Sequence, residues 1–209
     1  MSRSRLTGLQ RLRDLKSHGE FIAVDMAEGR QRFARLADAE SAPRVVSSFN
    51  LFQTPEPLAA KLAGMFPAFG RTLEPSAGLG RLYKAVRALS DCPMMLVDIS
   101  PECCSELDRI ADENATVQMG DFLAMDAGTL GLFDGVIMNP PFKMGADVKH
   151  IRHALELLNP SGRLVAICAN GPRQHEQLQP LASEWIDLPA GSFKEQGTNV
   201  NAAIVVIDA

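Results

Sequence analysis

Leu132-Phe133-Asp134-Gly135-Val136-Ile137-Met138-Asn139-Pro140-Pro141-Phe142 decides how the chain is read. The apolar, turn-flanked run from Leu132 to Met138 predicts a buried strand. Pro140 and Pro141 stop it, because they bring no N–H to a ladder and restrict the backbone that precedes them. Asn139 and the Pro140 carbonyl are then left at the strand's carboxyl end, where ligands bind in open α/β sheets. Asn139 supplies an amide oxygen, Pro140 a carbonyl with no competing N–H, and Phe142 a flat apolar face. That set suits an aromatic ring bearing an –NH2 group. The plainer reading is a tight turn with a buried phenylalanine.

Working outward, strand-like and helix-like segments alternate. Arg71–Glu74 predicts a short strand, followed by a turn and the helix Arg81–Leu89. Pro93–Asp98 is a second strand with the helix Glu102–Ala111 after it, and Ala115–Met119 is a third. Beyond the strand Phe133–Met138, a helix over Asp147–Leu158 and a Pro160-Ser161-Gly162 turn lead to a strand at Arg163–Ala169. A helix near Pro172–Ser183 precedes strands at Trp185–Leu188 and Ala202–Ile207. These seven strands imply an α/β fold: a doubly wound, mostly parallel sheet with helices on both faces. No helix pattern separates the last two strands, so they are expected to form an antiparallel hairpin at the sheet edge. Residues 3–17 and 24–39 predict two helices, and Ser41-Ala42-Pro43 ends them. Residues 1–45 are therefore expected to form a small N-terminal helical appendage, and residues 46–209 the main domain.

Composition narrows the class. The 209 residues are 46% hydrophobic and 22% charged, values of an ordinary globular chain rather than a disordered one. No apolar run approaches the roughly 20 residues that a membrane span needs. The N-terminus lacks a signal-peptide core, so a cytoplasmic location is expected. Cys92, Cys103, Cys104 and Cys168 form no CxxC pair and no metal-ligand spacing with the histidines, so no metal is expected and reduced thiols are the simple reading. The net charge of −4 excludes a broadly basic nucleic-acid binder. Residues 1–16 run against that balance, with Arg3, Arg5, Arg11, Arg13 and Lys16 opposed by Asp14 alone. Such an arm either contacts phosphates or is a solvated helix face.

Leu73-Glu74-Pro75-Ser76-Ala77-Gly78-Leu79-Gly80 follows the first strand and opens a helix. Glycines at this junction let the backbone approach a ligand closely. About twenty residues on, Asp98 ends the second strand, where a carboxylate can accept from ribose hydroxyls. Gly120-Asp121-Phe122 ends the third; there a carboxylate can accept from an adenine amine while the ring packs on the base. Both aspartates can instead cap the helices that follow them. The loop lacks the third glycine of the dinucleotide fingerprint and the Lys-Ser/Thr of a P-loop, so a cofactor without phosphates fits better than NAD or ATP.

Together these residues resemble the class I S-adenosylmethionine-dependent methyltransferases, specifically the amino-methyltransferases with an N-P-P-[FY/W] signature. The resemblance covers roughly residues 50–209. Phe52-Gln53-Thr54-Pro55 resembles the segment before the glycine loop in adenine-specific DNA methyltransferases. Glu74 through Gly80 resembles their cofactor loop, and Leu188–Phe193 with Gly197–Val200 resembles their terminal hairpin. The resemblance implies a Rossmann-like fold and S-adenosylmethionine as cofactor. It assigns cofactor contacts to Phe52, Thr54, Glu74, Pro75, Ala77, Gly78, Gly80, Asp98, Ile99, Asp121, Phe122 and Asn139. Catalysis falls to Asn139, Pro140 and Phe142, and substrate binding to Phe142 with Phe193 as a second wall. Phe52 and Thr54 can also be a hydrophobic staple and a helix N-cap, and Phe122 and Phe193 can be core.

In the chemistry implied, Asn139 Oδ1 and the Pro140 carbonyl accept the protons of an amine whose lone pair is delocalised into its ring. The nitrogen is drawn toward a tetrahedral geometry, which is positioning and electrostatic stabilisation rather than covalent catalysis. The expected substrate is adenine in DNA, flipped out if the DNA is duplex. RNA or a protein glutamine amide are the alternatives, as is a non-catalytic methyltransferase-fold subunit of a larger complex. Only about ten residues separate the third and fourth strands, and no target-recognition domain is expected there or after the final hairpin. A partner chain could supply recognition. His150, His153 and His175 show no partner pattern and are expected at exposed helix positions.

Overall fold

The computed structural model describes residues 53–66, 70–194 and 199–209. All of these fall within the compact unit Ser48–Ala209. The two helices expected before residue 45, and Phe52, lie outside the described residues. In chain order the elements are α1 (Glu56–Met65), β1 (Thr72–Pro75), α2 (Arg81–Arg87), β2 (Met94–Asp98), α3 (Pro101–Ile110) and β3 (Ala115–Met119). There follow α4 (Ala127–Leu130), β4 (Phe133–Met138), α5 (Ala146–Leu155), β5 (Leu158–Ala169), α6 (Pro172–Gln177), β6 (Glu184–Asp187) and β7 (Ala202–Asp208).

One seven-stranded sheet carries the order β3-β2-β1-β4-β5-β7-β6. Its first five strands pair in parallel, while β7 runs antiparallel to both β5 and β6. The sheet agrees with the mostly parallel reading and its terminal hairpin. β6 alone is the edge strand of that hairpin, since β7 pairs with β5 along its length. Apolar runs in β4 and the second half of β5 match strands covered on both faces, and β1 is buried along its length, Thr72 and Glu74 included. Side chains of α1, α2 and α3 pack on one face, and those of α4 and α5 on the other.

Two details differ from the sequence reading. The Pro160-Ser161-Gly162 turn lies inside β5, which begins at Leu158. There the β4–β5 register jumps between Phe133 and Gly135, with Ser161 at φ 68°. Asn159 Nδ2 donates to Asp134 Oδ1 at 2.8 Å, so a side-chain bond holds the bulge where the ladder is interrupted. The stretch between β3 and β4 also carries a short helix, α4, capped by Asp126, whose side chain accepts from the Thr129 N–H. Four residues are too few to show an amphipathic period.

At Gly135 in the middle of β4, a Cβ would overlap the ring of Phe66, which follows α1. Glycine there lets α1 lie close on the sheet and brings the segment before it, Gln53 and Thr54, over the carboxyl end of the strands.

Candidate functional site

A cavity of about 380 Å³ opens at the carboxyl ends of β1, β2, β3 and β4. Its volume falls in the range of small-molecule sites. Four predicted segments meet there: Thr54 from the approach to α1, the loop after β1, the end of β2 with Asp98 and Ile99, and Asn139-Pro140-Pro141-Phe142 after β4. Asp121 and Phe122 close it beside β3.

The loop after β1 has the backbone that its composition implies. Ser76, Gly78 and Gly80 have φ of 61°, 56° and 73°. Ser76 holds this left-handed conformation without being glycine and lines the cavity. Gly80 does not line it. A Cβ on Gly80 would lie 2.6 Å from Ile110 Cδ1 and 3.1 Å from Leu107 Cδ2, so this glycine seats α3 against the start of α2. Pro75 likewise ends β1 without lining the cavity, while Glu74, Ala77 and Gly78 do line it.

Asp98 braces the loop from β2. Its Oδ2 accepts from the Gly78 N–H at 2.7 Å and its Oδ1 from the Ser100 N–H at 2.9 Å. The carboxylate thus serves the loop and the turn into α3 while facing the cavity. Ser100, not Asp98, caps α3, its Oγ accepting from the Cys103 N–H at 3.2 Å. Ile99 beside it is 69% exposed, an apolar side chain at the cavity rim. Asp121 accepts from the Leu123 N–H at 3.0 Å, so the capping reading is realised at a residue that also lines the cavity.

Glu74 is only 2% exposed, and its Oε2 has no hydrogen-bond partner among the described residues. Burial, and secondarily the nearby Asp98 carboxylate, push its carboxyl well above the usual range, against a lowering by the Tyr83 backbone N–H.

Asn139 is held from the side: its Nδ2 donates to Thr54 Oγ1 at 3.1 Å, across 85 residues of sequence. This bond fixes which way the amide plane faces. Thr54 is buried, and no side-chain bond caps α1, so the N-cap reading of Thr54 is not realised. Arg81, at the start of α2, binds Gln53 Oε1 at 3.2 Å and pairs with Glu56, tying the Thr54 segment to the glycine loop. Gln53, Ser76 and Arg81 are wall residues that the sequence reading missed.

Phe142 is half-buried and lines the cavity. Phe193 is 1% exposed and stands edge-on behind it, with ring centroids 6.1 Å apart at 85°. It supports the Phe142 ring and is core rather than the second wall of the expected substrate site. Phe122 is buried too, edge-on to His153 at 4.9 Å, with one face of its environment on the cavity.

Two histidines correct the expectation of exposed positions. His150 is buried, lines the cavity and bonds through Nδ1 to the Ala146 carbonyl at 2.7 Å. Burial holds its pKa below the usual value. His153 bonds through Nε2 to the Met125 carbonyl at 2.6 Å. The signal was present: Asp147, His150, Ile151 and Ala154 form the inward stripe of α5 at helical spacing. His175 is exposed, as expected.

Among the described residues no cluster of three His, Cys, Asp or Glu side chains is placed to hold a metal ion. No described helix is long and apolar enough to cross a membrane. Cys92, Cys103, Cys104 and Cys168 are buried free thiols.

No protein-family model matches the chain, and no curated protein matches it either. Solved structures do. A proposed RNA methyltransferase from Pyrococcus horikoshii is 18% identical, with a TM-score of 0.60 over 75% of this chain and 85% of its own. The N-methyltransferase NodS from Bradyrhizobium japonicum is 14% identical, with a TM-score of 0.54 over 73% and 93%. Geranyl diphosphate C-methyltransferase from Streptomyces coelicolor, solved with Mg2+, geranyl diphosphate and S-adenosyl-L-homocysteine, is 13% identical with a TM-score of 0.55 over 72% and 78%. At such identities the likeness establishes the architecture alone: this chain has the Rossmann-like fold that these methyltransferase structures share.

Proposed function

We propose that the chain is an S-adenosylmethionine-dependent methyltransferase that methylates an exocyclic amino nitrogen, foremost that of adenine in DNA. One observation carries the reading. Asn139, oriented by Thr54, shares one cavity with Phe142 and with the Gly78–Asp98 unit.

The residues present fit the cofactor. Asp98 sits where ribose hydroxyls would be accepted, Ile99 and Phe122 offer apolar faces for adenine, and Asp121 offers an acceptor for its amine. The unsatisfied Glu74 carboxyl suits the polar methionine end, next to the close backbone approach at Gly78. Bound there, the cofactor supplies an electrophilic methyl on a sulfonium centre. Asn139 Oδ1 and the Pro140 carbonyl accept the two amine protons of the target and turn its lone pair out of the ring plane. Phe142 stacks on the target ring, and Phe193 keeps Phe142 upright. Neither acceptor takes the proton outright, because an amide is no base at neutral pH. The proton leaves to water once the methyl has transferred.

A second reading keeps this chemistry with RNA as substrate, favoured by the similarity to the Pyrococcus horikoshii protein. A glutamine amide, or a non-catalytic role beside a partner that supplies recognition, is further from the site's features, since the glycine loop and the Asn139 corner are both intact. The test is Asn139→Ala with titration of S-adenosylmethionine. Methyl transfer should fall at least 100-fold while cofactor affinity stays within about threefold. Normal turnover in the variant overturns the mechanism.

A further inference from the structure

The turn after Phe142 has a feature that the amine-binding corner does not use. Lys143, Met144 and Gly145 form a single tight turn, closed by the Gly145 N–H donating to the Phe142 carbonyl at 3.2 Å. Met144 sits at its tip with φ 56°, a conformation that L side chains seldom adopt, and is 87% exposed. Lys143 beside it is exposed. Arg173 comes from α6 and packs across Gly145 so closely that a Cβ there would overlap its guanidinium. An apolar tip is thus flanked by two cations, two residues from the ring that lines the cavity. Neither cation has an ion-pair partner among the described residues.

Their spacing is held from below. Asp147, fully buried in the first turn of α5, accepts from the Ala169 N–H at 2.9 Å and from Gln174 Nε2 at 2.8 Å. Gln174 is the neighbour of Arg173, and Ala169 ends β5. One buried carboxylate therefore fixes the start of α5, the tip of β5 and α6 as a unit, and carries Lys143 and Arg173 with it. A surface methionine on a strained turn, beside two exposed cations on a rigid base, matches a polyanion with flat apolar groups along it.

We infer that Lys143, Met144 and Arg173 form a docking surface for a nucleic-acid strand, with phosphates at the two cations and Met144 against the base or sugar next to the target. The inference rests on the amino-nitrogen reading for the direction in which the strand enters the cavity. Contacts of this kind are sequence-independent and salt-sensitive, whereas an apolar contact is not.

The test uses the full chain and fluorescently labelled 20-nucleotide DNA and RNA, single-stranded and duplex, with anisotropy followed from low to moderate salt. Lys143→Glu/Arg173→Glu should weaken binding roughly 10- to 100-fold and lower the slope of log affinity against log salt by about 1.5 to 2. Met144→Ala should weaken binding several-fold with the slope unchanged. Both variants should bind S-adenosylmethionine as the parent does, which shows that they are folded. The arm that binds most tightly identifies DNA or RNA as the strand. Unchanged affinity and slope in the double variant overturns the inference, as does a parent chain that binds no oligonucleotide while methylating a protein or a small molecule. That last result leaves the methyltransferase reading standing, whereas failure to bind the cofactor overturns that reading and leaves the oligonucleotide titration to be judged by itself.

Discussion

Thr54→Val probes the link between a residue far upstream and the amine-binding corner. Thr54 is buried and its Oγ1 receives the Asn139 Nδ2 proton at 3.1 Å. Valine keeps the shape and removes the acceptor. Such a bond contributes about 0.5–1.5 kcal/mol, and a donor left without it in a half-buried site costs roughly 1–3 kcal/mol. If ~1–2 kcal/mol of this is expressed in the transition state, kcat falls about 5- to 30-fold. Thermal stability should move by only a few degrees, since a unit of this size shifts roughly 2–4 °C per kcal/mol. Steady-state methylation with separate variation of cofactor and acceptor substrate reads the effect. A fall in kcat with an unchanged cofactor KM places Thr54 behind Asn139, and Thr54→Ser should restore most of the rate. The family resemblance instead made Thr54 a contact to the methionine end of the cofactor. A raised cofactor KM with normal kcat would refute the positioning argument and support that contact.

Three further outcomes follow from the same geometry. Glu74→Gln should raise the melting temperature near neutral pH and change it little at pH 4. Burial raises the Glu74 carboxyl, so its contribution is present below the unfolded pKa and is lost as pH rises through the folded one; melting curves across pH check this, and an equal shift at both ends would contradict it. Asp98→Ala removes the acceptor of the Gly78 and Ser100 N–H groups and should weaken cofactor binding roughly 10- to 100-fold by calorimetry. Gly135→Ala meets the Phe66 ring and should cost about 1–3 kcal/mol in urea unfolding, with part of the loss regained when Phe66→Leu is added.

Much of the fold was legible because its central strands are buried on both faces. The runs at Phe133–Met138 and Leu164–Ala169 carry few polar residues, and the turn that follows Thr72–Pro75 marks the end of that strand, so their existence and order follow from pattern and turn chemistry. The placement of β7 between β5 and β6 was not legible, because local sequence marks a hairpin but not which of its strands meets the sheet. The bulge at Asn159–Gly162 depends on a side-chain bond to Asp134 that lies 25 residues away.

The site was read in outline for a similar reason. Asp98 ends β2, and Gly78, Asp121 and Asn139 lie within three residues of a strand's carboxyl end, so topology alone brings them to one edge. Contacts across the edge were hidden. Thr54 holding Asn139 spans 85 residues, and Arg81 holding Gln53 spans 28. Gly80 has a packing partner that local sequence does not show: it leaves room for Ile110 and Leu107 and does not line the cavity. His150 belongs to no motif, and only the inward stripe of α5 on which it lies marks it as buried.

Everything proposed for this site turns on transfer of a methyl group to an amino nitrogen at Asn139. Tritiated S-adenosylmethionine offered with DNA, RNA and protein in parallel, followed by digestion and nucleoside analysis, tests it most directly. Label is expected in N6-methyladenine, highest from DNA, and at least 100-fold lower with Asn139→Ala. Label on carbon or oxygen, or an Asn139→Ala variant that labels as the parent does, would contradict it.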